Sequence, residues 1–79
     1  MTDIKYVTSD DWQGIYINGW LAIEGHEIQT YQAMHIVAKS CKGNNVTIEE
    51  IHVDKYWLED VGNLPNKLDD IPSEYIIQM

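Results

Sequence analysis

Seventy-nine residues allow one hydrophobic core and not two, because a chain this short buries only about 60–65% of the surface it exposes when unfolded, so residues 1–79 are expected to form a single domain. Thirteen acidic side chains against five basic ones give a formal charge of −8, which repels nucleic-acid backbones and anionic membranes and argues against direct binding to either. The same charge attracts basic protein surfaces, including those that other proteins use to hold nucleic acid.

Cys41 is the only cysteine, so an intramolecular disulfide is excluded and self-association becomes a natural supplement to a core worth about 3–5 kcal/mol. The opening Met-Thr-Asp-Ile-Lys lacks a basic segment followed by an apolar run, and no stretch approaches the ~18 apolar residues of a membrane span. A cytoplasmic protein is expected. Charge is uneven: residues 1–43 carry five acids and three bases, residues 44–79 eight acids and two bases.

The first local signal is Gln13 to Glu24, where Asn18-Gly19 splits two apolar, β-favouring runs and predicts a hairpin with a two-residue type I′ turn. That register sets Ile17 opposite Trp20, Tyr16 opposite Leu21, Ile15 opposite Ala22 and Gly14 opposite Ile23. Both hairpin faces are apolar, so either both are covered or one is left for a partner. Gly25 ends the hairpin. A helix over Tyr31 to Cys41 follows, with Thr30 as N-cap and Gly43 as the stop. Its core stripe is Tyr31, Met34, Val37, Ala38 and Cys41, and Ile36 points away from that stripe, exposed or in an interface.

Val46 to Val53 reads as a strand whose apolar positions change parity across Glu49-Glu50, which predicts a bulge or turn there. Asp54 caps a short helix, Lys55 to Val61, closed by Gly62. Turn chemistry follows from Asn63 to Asp70 with Leu64 and Leu68 buried, and Glu74 to Ile77 is a candidate final strand for an open sheet edge. The expected architecture is α+β: a small antiparallel sheet, made of the hairpin plus one or two further strands, packed on one main helix with a short second helix. Helix 31–41 is expected over one sheet face, with residues 56–77 over part of the other.

Among constellations that carry chemistry, Glu50, His52 and Asp54 alternate on a strand and would share one face about 6.5–7 Å apart, a spacing compatible with acid–base work or a divalent metal. A solvated strand face with Asp54 as a helix cap explains the same residues more simply. His26 and His35 fit turn and boundary roles, and Cys41 lies on an apolar stripe near a helix C-terminus that disfavours a thiolate. No catalytic triad spacing, phosphate-binding glycine loop or zinc-type cysteine pair is present. The sequence therefore points away from an enzyme, a metal site and a cofactor.

The acidic pairs Glu49-Glu50, Glu59-Asp60 and Asp69-Asp70, with Asp10-Asp11, are dense enough to mimic a phosphate track of about 7 Å per nucleotide, although acids also serve solubility. Tryptophan and tyrosine are favoured interface anchors, and Trp20 or Tyr16 is expected at the rim of a binding patch.

Asp11-Trp12-Gln13-Gly14-Ile15-Tyr16 with the Asn18-Gly19 turn, and Trp57-Leu58 followed by Gly62, Leu64-Pro65 and Leu68, resemble small uncharacterised proteins of bacteriophages and prophages over roughly half the chain. The resemblance implies a phage protein made in a bacterial cytoplasm, a setting in which small acidic domains inhibit host nucleic-acid enzymes or defence systems. The expected function is thus an acidic protein-binding inhibitor, a possible nucleic-acid mimic with an anti-defence role, occluding a basic or nucleic-acid-handling surface of a host protein. Its partner-binding residues would be Glu49, Glu50, Glu59, Asp60, Asp69, Asp70, Trp20, Tyr16 and Ile36. The alternative is a non-catalytic oligomer that binds a small molecule or nucleotide near Trp12, Trp20 and His26.

Overall fold

The structure, a computed structural model, describes residues 2–40 and 45–77. The strands are β1 (Thr2–Thr8), β2 (Gln13–Ile17), β3 (Trp20–Gly25), β4 (Val46–Val53) and β5 (Ile76–Ile77). Helix α1 (Thr30–Ser40) joins β3 to β4, helix α2 (Lys55–Val61) follows β4, and 3-10 turns occupy Leu68–Asp70 and Ser73–Tyr75. The fold is α+β, with one five-stranded sheet in the order β3-β2-β1-β4-β5.

The sheet is mixed, not antiparallel as expected, because it contains a strand, β1, that the expected architecture lacks. β1 sits at its centre, antiparallel to β2 and parallel to β4. Its Thr-Asp-Ile-Lys-Tyr-Val-Thr composition is rich in β-branched and aromatic residues and was a legible strand signal. Parallel neighbours need a crossover, and between β3 and β4 that crossover is α1.

Asn18 (φ 52°) and Gly19 (φ 86°) both adopt positive φ, as a type I′ turn requires. Next to the turn the expected register holds, with Ile17 opposite Trp20 and Tyr16 opposite Leu21. Beyond it a bulge shifts the pairing, so Ile15 meets Ile23 and Gly14 meets Glu24. The extra residue, Ala22, moves Ile23 to one sheet face and Glu24 to the other. Glu24 Oε1 then accepts from Trp12 Nε1 at 3.2 Å and from the Leu64 N–H at 3.3 Å, contacts the unbulged register could not supply.

The main core lies on the face covered by α2 and the chain after it: Val7, Tyr16, Val53, Leu58, Leu64 and Ile71, with Trp12, Leu21, Ile51, Trp57, Leu68 and Ile76 packed around them. Gly14 makes room for this layer, since a Cβ there would overlap the Leu64 side chain. Trp57 stacks on Tyr75 with centroids 5.7 Å apart, anchoring the C-terminal segment to α2. Ile4 and Ile15, also buried, point to the opposite face by strand alternation; this is the face that α1 crosses.

β4 pairs with β1 without interruption from Val46 to His52, so the expected bulge at Glu49-Glu50 is absent. The parity change has another cause. Ile51 and Val53 face the α2 layer, whereas Ile48 faces the other side and is 66% exposed. Asp54 caps α2 as expected, its Oδ1 accepting from Tyr56 N at 2.7 Å and Trp57 N at 3.3 Å, and Gly62 closes the helix at φ 88°. The α1 cap is one residue earlier than expected. The Gln29 carbonyl accepts from Ala33 N, and Gln29 N donates to Gln32 Oε1 at 3.1 Å, half of a capping box. Leu64 is buried and Leu68 half-buried. β5 closes part of the β4 edge, pairing Ile77 with His52 and Ile76 with Val53.

Candidate partner-binding surface

Helix α1 is turned differently from the expected packing. Gln32, Ala33, Ile36 and Val37 are half-buried, while Tyr31 and Met34 are 71% and 66% exposed and Ala38 is exposed as well. Two overlapping apolar stripes run along this helix, one through Tyr31, Met34 and Ala38 and one through Ala33, Ile36 and Val37, and periodicity alone does not choose between them. The stripe with small and β-branched side chains is the more enclosed one. Cys41 and the expected stop at Gly43 lie outside the described residues.

The outcome is an open apolar groove of about 780 Å³ bordered by Ile23, Tyr31, Met34, His35, Ile36 and Ala38. Ile23 reaches it because of the bulge in β3. Ile36, expected to lie away from the core stripe and to be exposed or in an interface, is half-buried and forms part of this wall. Contiguous exposed apolar surface on a small domain is characteristic of interaction sites.

Tyr16 corrects an expectation: it is fully buried, not at a rim, and its hydroxyl donates to the Pro65 carbonyl. Burial, and secondarily the nearby Glu24 and Asp70 charges, raises its phenol above the ordinary tyrosine range. Trp20 remains 59% exposed at the start of β3, with Lys67 Nζ 5.1 Å from its ring centroid, a cation–π contact. Trp20 and Trp12 flank opposite ends of the hairpin, so they do not form one site.

All six acids expected at the interface are exposed, yet they do not share one surface. Glu49 pairs with Lys5 and Glu50 with Tyr6 across β1 and β4, and strand alternation sends the two carboxylates to opposite faces. Glu59 and Asp60 lie on α2, and Asp69 and Asp70 on the first 3-10 turn, both parts of the layer remote from the α1 groove. The four acids of α2 and the 3-10 turn therefore lie across the sheet from the α1 groove, whereas Glu50 is on the groove's side of the sheet.

Of the Glu50, His52 and Asp54 trio, the structure brings two together. His52 Nε2 lies 3.4 Å from Glu50 Oε2, and His52 Nδ1 is 2.8 Å from Thr8 Oγ1. Asp54 is committed to capping α2. The hydroxyl–imidazole–carboxylate series has the connectivity of a nucleophile, base and orienting group, but Thr8 is only 9% exposed, and the chain of contacts ties β1 to β4. Among the described residues no three His, Cys, Asp or Glu side chains are grouped to hold a metal ion.

Trp12 and His26 meet edge to face with centroids 4.8 Å apart. The hollow beside them, bordered also by Asp11, Lys55 and Glu59, holds about 180 Å³, less than the ~300 Å³ at which small-molecule sites begin. No helix among the described residues is long and apolar enough to cross a membrane. Searches against family models, curated proteins and solved structures returned no match to this chain.

Proposed function

We propose that this protein is a small acidic binding domain that occludes a basic, nucleic-acid-handling surface of a host protein, in the manner of a phage-encoded inhibitor of host or defence enzymes. The observation that carries the reading is helix α1, which turns Tyr31 and Met34 to solvent beside Ile23 and Ile36. Tyrosine supplies rigid contact area, and methionine adapts to irregular partner surfaces. The −8 charge acts on approach: its field raises the association rate with a basic partner and is weakened by salt. Because the acids of α2 and the 3-10 turn lie across the sheet from the groove, they steer more than they dock.

The experiment is a tagged pull-down from bacterial lysate, washed at low and then high salt, with parallel baits carrying Tyr31→Ala plus Met34→Ala or Glu59→Gln plus Asp60→Asn. The expected result is a nucleic-acid-handling protein retained by the unaltered chain, lost with the α1 variant and captured more slowly by the charge variant. Equal capture by all three baits would overturn the reading, as would a self-association that buries α1.

A further inference from the structure

The β4 edge is the other unfinished feature of the fold. Thr2 N donates to the Asn45 carbonyl at 2.7 Å, and Asp54 N donates to the Tyr75 carbonyl at 2.9 Å. Backbone groups alternate sides along a strand, so the odd-numbered residues of β4 turn their N–H and C=O toward β1, while the even-numbered ones turn theirs outward. Among the described residues, β5 takes up the outward groups at the end of the strand, where Ile77 meets His52. Among the described residues no strand pairs with the outward groups of Val46, Ile48 and Glu50. Such a row of free donors and acceptors is a template for an added strand.

Side chains define what would fit. Ile48 is 66% exposed on the α1 side of the sheet, and next along the strand come Glu49 on the α2 side and Glu50 on the α1 side. Lys5, the cation paired beside Glu49, is held by Asp3 at 2.8 Å. A second copy of this chain fits poorly, because antiparallel β4–β4 pairing about Ile48 would set Glu49 and Glu50 opposite Thr47 and Val46, with no cation to meet them, between molecules that each carry −8.

We infer that the β4 edge over Val46–Glu50 accepts an extended cationic segment of a partner protein as a sixth, antiparallel strand, with an apolar residue opposite Ile48 and Lys or Arg opposite Glu49 and Glu50. The inference rests on the proposed binding function and names the mode of engagement. Read from its N-terminus, the segment has two cationic residues, then an apolar residue, any residue and a second apolar residue opposite Val46.

The test uses the full chain and the acetylated, amidated heptapeptide Ser-Lys-Lys-Val-Thr-Val-Ser. Binding should slow amide exchange at Val46 and Ile48. Ile48→Pro removes an outward N–H without removing a bond to β1, and it should weaken peptide binding about tenfold, the equivalent of one lost hydrogen bond at 1.4 kcal/mol per decade. Glu49→Gln with Glu50→Gln should weaken it about threefold to tenfold at low salt and less at high salt. A peptide N-methylated at the backbone positions facing β4 should lose binding even if the proline variant folds poorly.

Equal affinity of the methylated and unmethylated peptides would overturn the inference, as would unchanged exchange at Val46 and Ile48 or a dimer formed through β4. Retention of the lysate partner by a folded Ile48→Pro bait would overturn strand addition alone and leave the proposed function standing. Loss of that partner from the α1 variant, with peptide binding intact, assigns the edge and the groove to separate contacts and supports the inference.

Discussion

Tyr16, on the buried face of β2, donates its hydroxyl to the carbonyl of Pro65, forty-nine positions further along the chain. This bond fastens the segment after α2 to the sheet at the centre of the core. Tyr16→Phe keeps the ring but leaves that carbonyl without the donor, with an expected loss of about 1–2 kcal/mol, measurable by urea denaturation. The pH dependence has a definite sign. The folded-state pKa lies above the ordinary value of 10.0, so the native state holds its proton more tightly than the unfolded chain. The associated stability is complete below pH 10 and is lost as pH rises toward the folded pKa. Tyr16→Phe should flatten the alkaline limb of the stability curve.

Asp54 ends β4 and begins α2 in one residue, accepting from both Tyr56 N and Trp57 N. Asp54→Ala should cost about 1 kcal/mol, and Asp54→Ser, which retains a capping oxygen, should recover most of it. Thermal unfolding of the two variants side by side separates the cap from any other effect of the substitution.

Tyr31→Ala and Met34→Ala test whether the exposed stripe of α1 serves folding or binding. Exposed side chains away from caps and core change stability by about 0.5 kcal/mol or less. Both variants should therefore unfold near the unaltered midpoint while partner capture falls. A large drop in midpoint would place these residues in the core.

Asp3 sits between Lys5 Nζ at 2.8 Å and the Thr47 hydroxyl at 3.0 Å. The hydrogen bond from Lys5, then that from Thr47, lowers its pKa below 3.8. A depressed carboxylate contributes stability above its unfolded pKa, and that contribution disappears as pH falls through the folded one. Asp3→Asn should be less sensitive to acid than the unaltered chain below about pH 4, as followed by circular dichroism.

The features legible in the amino-acid order were those set within a few residues. Asn18-Gly19, the Asp54 cap and the Gly62 stop are local backbone solutions, and each is found where its chemistry placed it. The α+β class follows from the same signals taken together. The exposure of Glu59, Asp60, Asp69 and Asp70 needed no more than their charge.

Tertiary structure decided what depends on residues far apart in the chain. The parallel pairing of β1 with β4 joins positions forty-four apart, and no local pattern announces a parallel partner. The bulge at Ala22 puts Glu24 where it reaches Trp12 and Leu64, and local alternation alone predicts the unshifted register. For α1, helical periodicity admits two apolar stripes, and only the folded structure shows Ala33, Ile36 and Val37 half-buried with Tyr31 and Met34 exposed. Tyr16 is the sharpest case: as an amphipathic side chain it suits a rim or a core equally, and it lies in the core because Pro65 offers its hydroxyl an acceptor there.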